Sequence, residues 1–125
     1  DRLVRGQPDR VEDGGHRAWT AREAASTADA RLARGERAPL LGLPLTVKDS
    51  IDVQGLPSTA GLPERADQRA PADSLLVKRL REAGAVILGK TNIPEFCSSM
   101  TSSDLNGICR NPWDPERTPS GSSGS

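Results

Sequence analysis

Two short apolar runs stand out in the hydrophobic pattern of this chain. Pro44 to Val47 ends in β-branched residues and predicts a buried strand that delivers Lys48 at its carboxyl end. Ala85 to Leu88 predicts a second buried strand. Because an amphipathic segment of helical length separates the two runs, we expect a parallel α/β layer. Such folds place their chemistry at the carboxyl ends of the strands.

The segment between the strands, SLLVKRLREAG, predicts a helix that Asp73 or Ser74 caps and that ends at Gly84. Its apolar stripe consists of residues at helical spacing: Leu76, Val77 and Leu80. Further along, Pro94 favours a short helix that begins near Ile93, because proline is accepted in a first helical turn.

An Ala-rich segment upstream, Thr20 to Gly35, predicts another helix. Thr20 is its expected N-cap, Glu23 the capping-box partner and Gly35 the C-terminal stop. Residues 1–16 mix charges, glycine and proline without periodicity, which predicts a loop or the remnant of a preceding helix. The Gly- and Pro-rich stretch from Gly55 to Pro63 predicts a loop.

The composition narrows the classes of function. Seventeen basic residues balance seventeen acidic ones and lie scattered among them, so neither nucleic acid nor an anionic membrane is an expected partner. Aromatic residues make up only 2% and the mean hydropathy is −0.54, so large core anchors are few. Cys97, Cys109 and the single His16 do not make a four-ligand zinc site, and no cofactor is expected. Without a signal peptide or an apolar run of membrane-spanning length, the expected compartment is the cytoplasm.

Lys48 is the first candidate for chemistry. If the strand continues, Asp49 faces the opposite side, because strand side chains alternate. A buried lysine with no carboxylate beside it favours the neutral amine, which can act as a general base. The alternative is a lysine that extends from the strand end to solvent.

Ser122 and Ser123 lie between two glycines at the end of the chain, in SGSSGS. Glycine permits close backbone approaches, so such a loop can hold hydroxyl groups near a ligand. A flexible linker or an expression scar would have the same composition. The preceding NPWDPERTP argues against a linker, since its prolines restrict the backbone and Trp113 needs a packing partner.

Two other chemistries receive less support. Cys97 has no histidine near it in sequence, so we expect a buried structural cysteine and not a nucleophile. A pair of carboxylates could be drawn from Asp49, Asp52 and Asp104, but isolated aspartates usually cap turns or face solvent.

Four blocks, in order, resemble the amidase signature family: APLLGLPLTVKDSIDVQGLPSTAG, DSLLVKRLREAGAVILGKTNIPEF, RNPWDPERTP and SGSSGS. The resemblance implies a mixed sheet flanked by helices and an enzyme that hydrolyses the C–N bond of a small-molecule amide. It makes Lys48 the catalytic lysine and Ser122 the serine of a cis peptide. Ser123 is then a support of that loop and, together with Met100, a candidate for substrate binding.

The resemblance also implies a nucleophilic serine about two dozen residues beyond Ser122, which would form an acyl-enzyme. We therefore expect 17–125 to be the N-terminal part of an amidase domain and the chain alone to be inactive. The missing C-terminal part of the enzyme, or a partner subunit, is the expected protein partner. Ser120 and Ser125 stand where the family generally has glycine, and a positive φ at either position would be costly for serine.

Two alternatives remain at this point. The chain could be a catalytically silent α/β fragment or subunit that binds a partner chain through open sheet edges. It could also be a small independent binding module, in which case the Gly/Ser end would be a true terminus.

Overall fold

The computed structural model describes residues 21–98 and 102–123. Residues 1–16, the proposed N-cap Thr20, Met100 and Ser125 lie outside this part of the chain. In the described part, no helix is both long enough and apolar enough to cross a membrane.

Two parallel strands form the centre of the fold. Strand β1 spans Pro44–Lys48 and strand β2 spans Val86–Thr91, and they pair in parallel with Lys48 opposite Thr91. The register shifts once, between Leu45 and Thr46. Both strands were predicted from their apolar runs, and β2 extends three residues further than the run.

Helix α1, Ala21–Ala33, packs against β2. Gly35, the predicted C-terminal stop, lies two residues beyond the helix and has φ of +80°. The amide of Gly35 bonds to the carbonyl of Leu32, and the amide of Glu36 bonds to that of Arg31. This pair of hydrogen bonds is the Schellman motif, which requires the left-handed conformation that glycine adopts readily.

Helix α2, Leu75–Glu82, connects the two strands. Ser74 is its N-cap and accepts a hydrogen bond from the Val77 amide at 3.4 Å. Of the predicted stripe, Val77 is fully buried and Leu80 half-buried, but Leu76 is 53% exposed, so its inclusion was wrong. Val77 is the residue of this helix that belongs to the buried apolar cluster.

The apolar core is small and links all three elements of the strand-helix-strand unit. Its buried members come from β1, the loop after it, α2 and β2: Val47, Val53, Val77 and Ile87. Leu45, Ile51 and Leu56 pack against them. The loop that follows Lys48 is therefore anchored by apolar contacts as well as by polar ones.

The helix predicted from Ile93 is wrong. A single 3₁₀ turn, Glu95–Cys97, stands there, preceded by Pro94 in an extended conformation. Phe96 and Cys97 have φ of +49° and +61°, which a right-handed helix cannot contain. The Phe96 amide bonds to the Ala60 carbonyl at 3.0 Å, so a contact with the distant loop replaces helical hydrogen bonding.

Two further strands, β3 (Ser102–Ser103) and β4 (Gly107–Ile108), form a short antiparallel hairpin that the sequence did not predict. Each strand has only two residues, which is too short for the alternation that signals a strand.

Candidate active site

Lys48 is the last residue of β1 and is half-buried. Its backbone is fixed by the strand pairing with Thr91, and the next amide, that of Asp49, bonds to the Thr91 carbonyl at 3.2 Å. The side chain therefore leaves a rigid strand end, as the sequence predicted.

The Lys48 side chain reaches the loop at the far end of the chain. Lys48 Nζ donates a hydrogen bond to Ser122 Oγ at 2.7 Å, and the contact is partly buried. The peptide bond between Gly121 and Ser122 is cis. An amine and a hydroxyl in direct hydrogen bond can exchange a proton without an intervening water, which is a geometry suited to general base catalysis.

The segment before Ser122 is folded by its own polar contacts. Asp114 accepts a hydrogen bond from the Arg117 side chain at 2.8 Å, and its carbonyl accepts one from the Arg117 amide at 2.9 Å. The Asn111 side chain accepts a hydrogen bond from the Trp113 amide at 2.9 Å. The Trp113 side chain is 90% exposed, so the packing partner expected for it is not found in the described part of the chain.

Ser120 has φ of +68°, in the left-handed region. Its amide bonds to Thr118 Oγ1 at 2.9 Å, which helps to hold the turn. The conformation that the resemblance assigns to glycine is therefore adopted here by a serine, at a cost of about 1–2 kcal/mol.

Asp49 lies beside Lys48 in sequence but turns away from it. Its buried carboxylate oxygen Oδ2 accepts hydrogen bonds from the Thr59 amide and hydroxyl, both at 2.9 Å, and from the Ala60 amide at 2.7 Å. These contacts fold the loop after β1 back on itself. They agree with the expected alternation along the strand, in which Asp49 is not the ion-pair partner of Lys48.

Lys90, on β2, was missed by sequence reasoning. Its ammonium donates hydrogen bonds to the carbonyls of Asp49 at 2.9 Å, and of Ile51 and Pro57 at 2.8 Å each. Burial lowers the pKa of Lys90, and the nearby charges of Asp49 and Asp52 oppose that shift. The sequence did contain a signal for it, namely a lysine shortly after the apolar run that begins β2.

The remaining candidates are dispersed. Ser123 is exposed, and so are Asp52, which accepts a hydrogen bond from the Ser58 hydroxyl, and Asp104. Cys97 is also exposed, so the buried structural cysteine expected there is wrong. Its left-handed φ places it on a surface turn. Within residues 21–98 and 102–123, no group of three or more histidine, cysteine, aspartate and glutamate residues could hold a metal ion.

Comparison with known proteins adds independent evidence. The chain is 43% identical over 106 residues to an indoleacetamide hydrolase of Bradyrhizobium diazoefficiens, a match that covers 83% of this chain and 20% of that protein. It is 51% identical over 108 residues to a glutamyl-tRNA(Gln) amidotransferase subunit of Anaeromyxobacter dehalogenans, with coverage of 83% and 22%. The chain thus spans about a fifth of the length of the curated relatives it matches.

A solved structure agrees with these relatives. The fold is similar to that of the native peptide amidase of Stenotrophomonas maltophilia, with a TM-score of 0.74, 38% identity, and coverage of 82% of this chain and 22% of that one. The described helices and small parallel sheet correspond to part of the amidase signature fold. A family model described as Amidase matches residues 17–125, and this chain therefore belongs to the amidase signature family.

Proposed function

We propose that the full-length protein containing this chain hydrolyses the C–N bond of a carboxylic amide, with Lys48 as general base and Ser122 as proton relay. The hydrogen bond of 2.7 Å between Lys48 Nζ and Ser122 Oγ carries this proposal. Family membership supports amide hydrolysis as the chemistry, and the geometry of the pair supports the roles of the two residues.

The charges around Lys48 suit a base. None of the ion pairs within the described ranges involves Lys48. The nearest carboxylate in sequence, Asp49, is occupied by Thr59 and Ala60. Within the described ranges, the polar partner of Lys48 Nζ is the Ser122 hydroxyl and not a carboxylate.

In the proposed reaction, a nucleophilic serine beyond Ser125 attacks the amide carbonyl carbon. Its hydroxyl proton passes to Ser122 Oγ as the Ser122 proton passes to Lys48 Nζ. The resulting tetrahedral intermediate expels the amine, which takes a proton back from Lys48 through Ser122. An acyl-enzyme remains, and water hydrolyses it by the same proton path to release the carboxylic acid and regenerate the serine.

We propose supporting roles for Ser123 and Met100. Ser123 follows the relay serine directly and would stabilise the loop that holds it. Met100 would contribute to the wall of the substrate pocket. The relatives named above act on different acyl groups by name, so we propose a small-molecule amide as the substrate without choosing its acyl part.

Kinetics of variants in the full-length protein test the proposal. Lys48→Ala and Ser122→Ala should each lower kcat by about 10²- to 10⁴-fold on any amide that the wild type hydrolyses. Lys48→Arg should fail as well, because arginine keeps its proton at working pH. Lys78→Ala is the matched control, since Lys78 is exposed on α2, and it should retain the wild-type rate. A Lys48→Arg variant of near-normal rate would show that Lys48 supplies only charge.

A fluorophosphonate probe separates relay from nucleophile. In the full-length protein, mass mapping should find the adduct on a serine beyond Ser125. An adduct on Ser122 would overturn the assignment of the relay. The 125-residue polypeptide alone should take up no probe and hydrolyse no amide, because it spans about a fifth of its relatives.

A second candidate function is that of a protein that works only when bound to another chain. The observation in its favour is the exposure of large apolar side chains on α2, where Leu75 and Leu76 are 64% and 53% exposed. One of the relatives is by name part of a larger amidotransferase. Size-exclusion chromatography with light scattering on the full-length protein distinguishes the two candidate functions. An active monomer without any partner would exclude an obligatory partner.

A further inference from the structure

The Lys90 ammonium lies where three backbone carbonyls converge. A lysine ammonium has three donors and no acceptor, and here each donor meets one carbonyl oxygen. All three distances fall between 2.8 and 2.9 Å, which is the range of strong charge-assisted hydrogen bonds. The side chain is thus fully used by contacts within the protein.

The three carbonyls belong to the loop that begins at Lys48. Two of them, from Asp49 and Ile51, follow Lys48 by one and three residues, and the third, from Pro57, lies near the other end of the loop. Lys90 therefore ties both ends of this loop to a fixed point on β2. The strand pairing holds Lys48 from one side, and the carbonyl of the next residue is held by Lys90.

Lys90 cannot share the face of the sheet on which Lys48 lies. Val47 pairs with Lys90, whereas Lys48 pairs with Thr91. Paired residues of neighbouring strands point to the same face and successive residues to opposite faces, so Lys90 lies on the face of the buried Val47. The two lysine side chains therefore do not touch, and the contact that links Lys90 to Lys48 is its hydrogen bond to the Asp49 carbonyl.

The charge of Lys90 also matters for the loop. The buried Asp49 carboxylate has hydrogen bonds but no ion pair within the described residues. The charges of Asp49 and Asp52 attract the ammonium, while burial favours its neutral form. Removal of Lys90 would leave three carbonyls without their donor and a buried carboxylate without the cation that compensates it.

We propose that Lys90 is a positioning residue, whose ammonium gathers the carbonyls of Asp49, Ile51 and Pro57 and thereby holds Lys48 within reach of Ser122. This inference rests on the proposed function for its catalytic consequence. Its structural part, the dependence of the Lys48 side chain on Lys90, can be measured whether or not the protein hydrolyses amides.

Competitive acetylation of the lysines in the full-length protein measures that dependence. Acetic anhydride is added in trace amounts with a reference peptide, and mass spectrometry gives the relative rate at each lysine. In the wild type, Lys90 should react more slowly than the exposed Lys78, because the three carbonyls enclose its amine and shield it from the reagent. An equal rate for Lys90 and Lys78 would show that Lys90 is not held by the carbonyls, and would overturn the proposal without any variant.

The Lys90→Met variant keeps the aliphatic length and removes the ammonium. We expect the acetylation rate of Lys48 to change relative to the reference peptide, and Lys78→Met, the matched control, to leave it unchanged. A Lys48 rate that is unaltered in Lys90→Met overturns the proposal. If circular dichroism shows that Lys90→Met does not fold, Lys90→Arg takes its place and the same criterion applies. Arginine keeps the charge but spreads its donors over three nitrogens.

Kinetics separate a failure of this inference from a failure of the proposed function. With a substrate in hand, Lys90→Met should lower kcat by about 10²-fold and leave KM nearly unchanged, because the loss of Lys90 misplaces a base without touching substrate. Full activity in Lys48→Met would refute the proposed function alone. A normal kcat in folded Lys90→Met, with Lys48→Met inactive, would refute the positioning role alone.

Discussion

The buried carboxylate of Asp49 allows a quantitative prediction about the loop that follows Lys48. Replacing Asp49 with alanine leaves the amides of Thr59 and Ala60 and the Thr59 hydroxyl without their acceptor. Each buried donor without a partner costs about 1–3 kcal/mol, and water that enters the vacated space offsets part of the sum. We expect a net cost of about 3–5 kcal/mol, at the lower end of the sum for three unpaired donors.

Native-state hydrogen exchange in the full-length protein is the appropriate measurement, because it reports the opening of one segment and not only global unfolding. Protection of the peptide over residues 49–60 should fall by about 100- to 4,000-fold in Asp49→Ala. Asp49→Asn should lose roughly half as much free energy, since an amide oxygen still accepts hydrogen bonds but without the charge. The exposed Asp67 supplies the control, and Asp67→Ala should leave the segment unchanged.

Unchanged exchange of the Thr59 and Ala60 amides in Asp49→Ala would refute this reasoning. It would mean that the apolar anchors of the loop hold it closed without the carboxylate. The same result in Asp49→Asn alone would show only that charge adds nothing to the hydrogen bonds.

Three further predictions concern other parts of the chain. Gly61→Ala should destabilise the protein by about 2–5 kcal/mol, because a Cβ would lie 2.9 Å from backbone atoms of residues 93–95 and the residue has φ of +78°. Gly55→Ala, with φ of +77° and open space, should cost only about 1–2 kcal/mol in the same chemical denaturation experiment. Ser120→Gly should stabilise the loop by about 0.5–1 kcal/mol, seen as slower exchange of its amides, and faster exchange would contradict the cost assigned to its φ. Hydrogen bonds from Arg31 and Arg34 lower the pKa of Glu36. Its contribution to the stability of the end of α1 should therefore be present above its ordinary pKa and disappear as the pH falls through the lowered value. Glu36→Gln should remove this pH dependence, measured by amide exchange.

The strand-helix-strand unit could be predicted because its signals are local. An apolar run with β-branched residues specifies β1, and a serine cap specifies the start of α2. The helix expected from Ile93 failed because a hydrogen bond between Phe96 and Ala60 decides the backbone there, and no local pattern encodes that contact. Cys97 was misplaced for the same reason, since its exposure follows from the turn.

Sequence reasoning found only some of the residues of the candidate site. The resemblance supplied Lys48 and Ser122, and the structure brings them into contact, while their roles stay proposals. Lys90 was not found because its acceptors are backbone carbonyls, which carry no mark of residue type. Residues that act through main-chain atoms are hidden from any reading of side-chain chemistry along a sequence.

The contact between Lys48 and Ser122 also constrains when the chemistry can arise. Seventy-four positions separate the two residues, so their contact closes a long loop of chain. The loss of chain entropy on closing this loop has to be offset by favourable contacts that form between the two residues. During synthesis, Lys48 leaves the ribosome well before its hydroxyl partner and can pair β1 with β2 in the meantime. We therefore expect proton exchange between the two groups to arise late in folding, after the strand-helix-strand unit has formed.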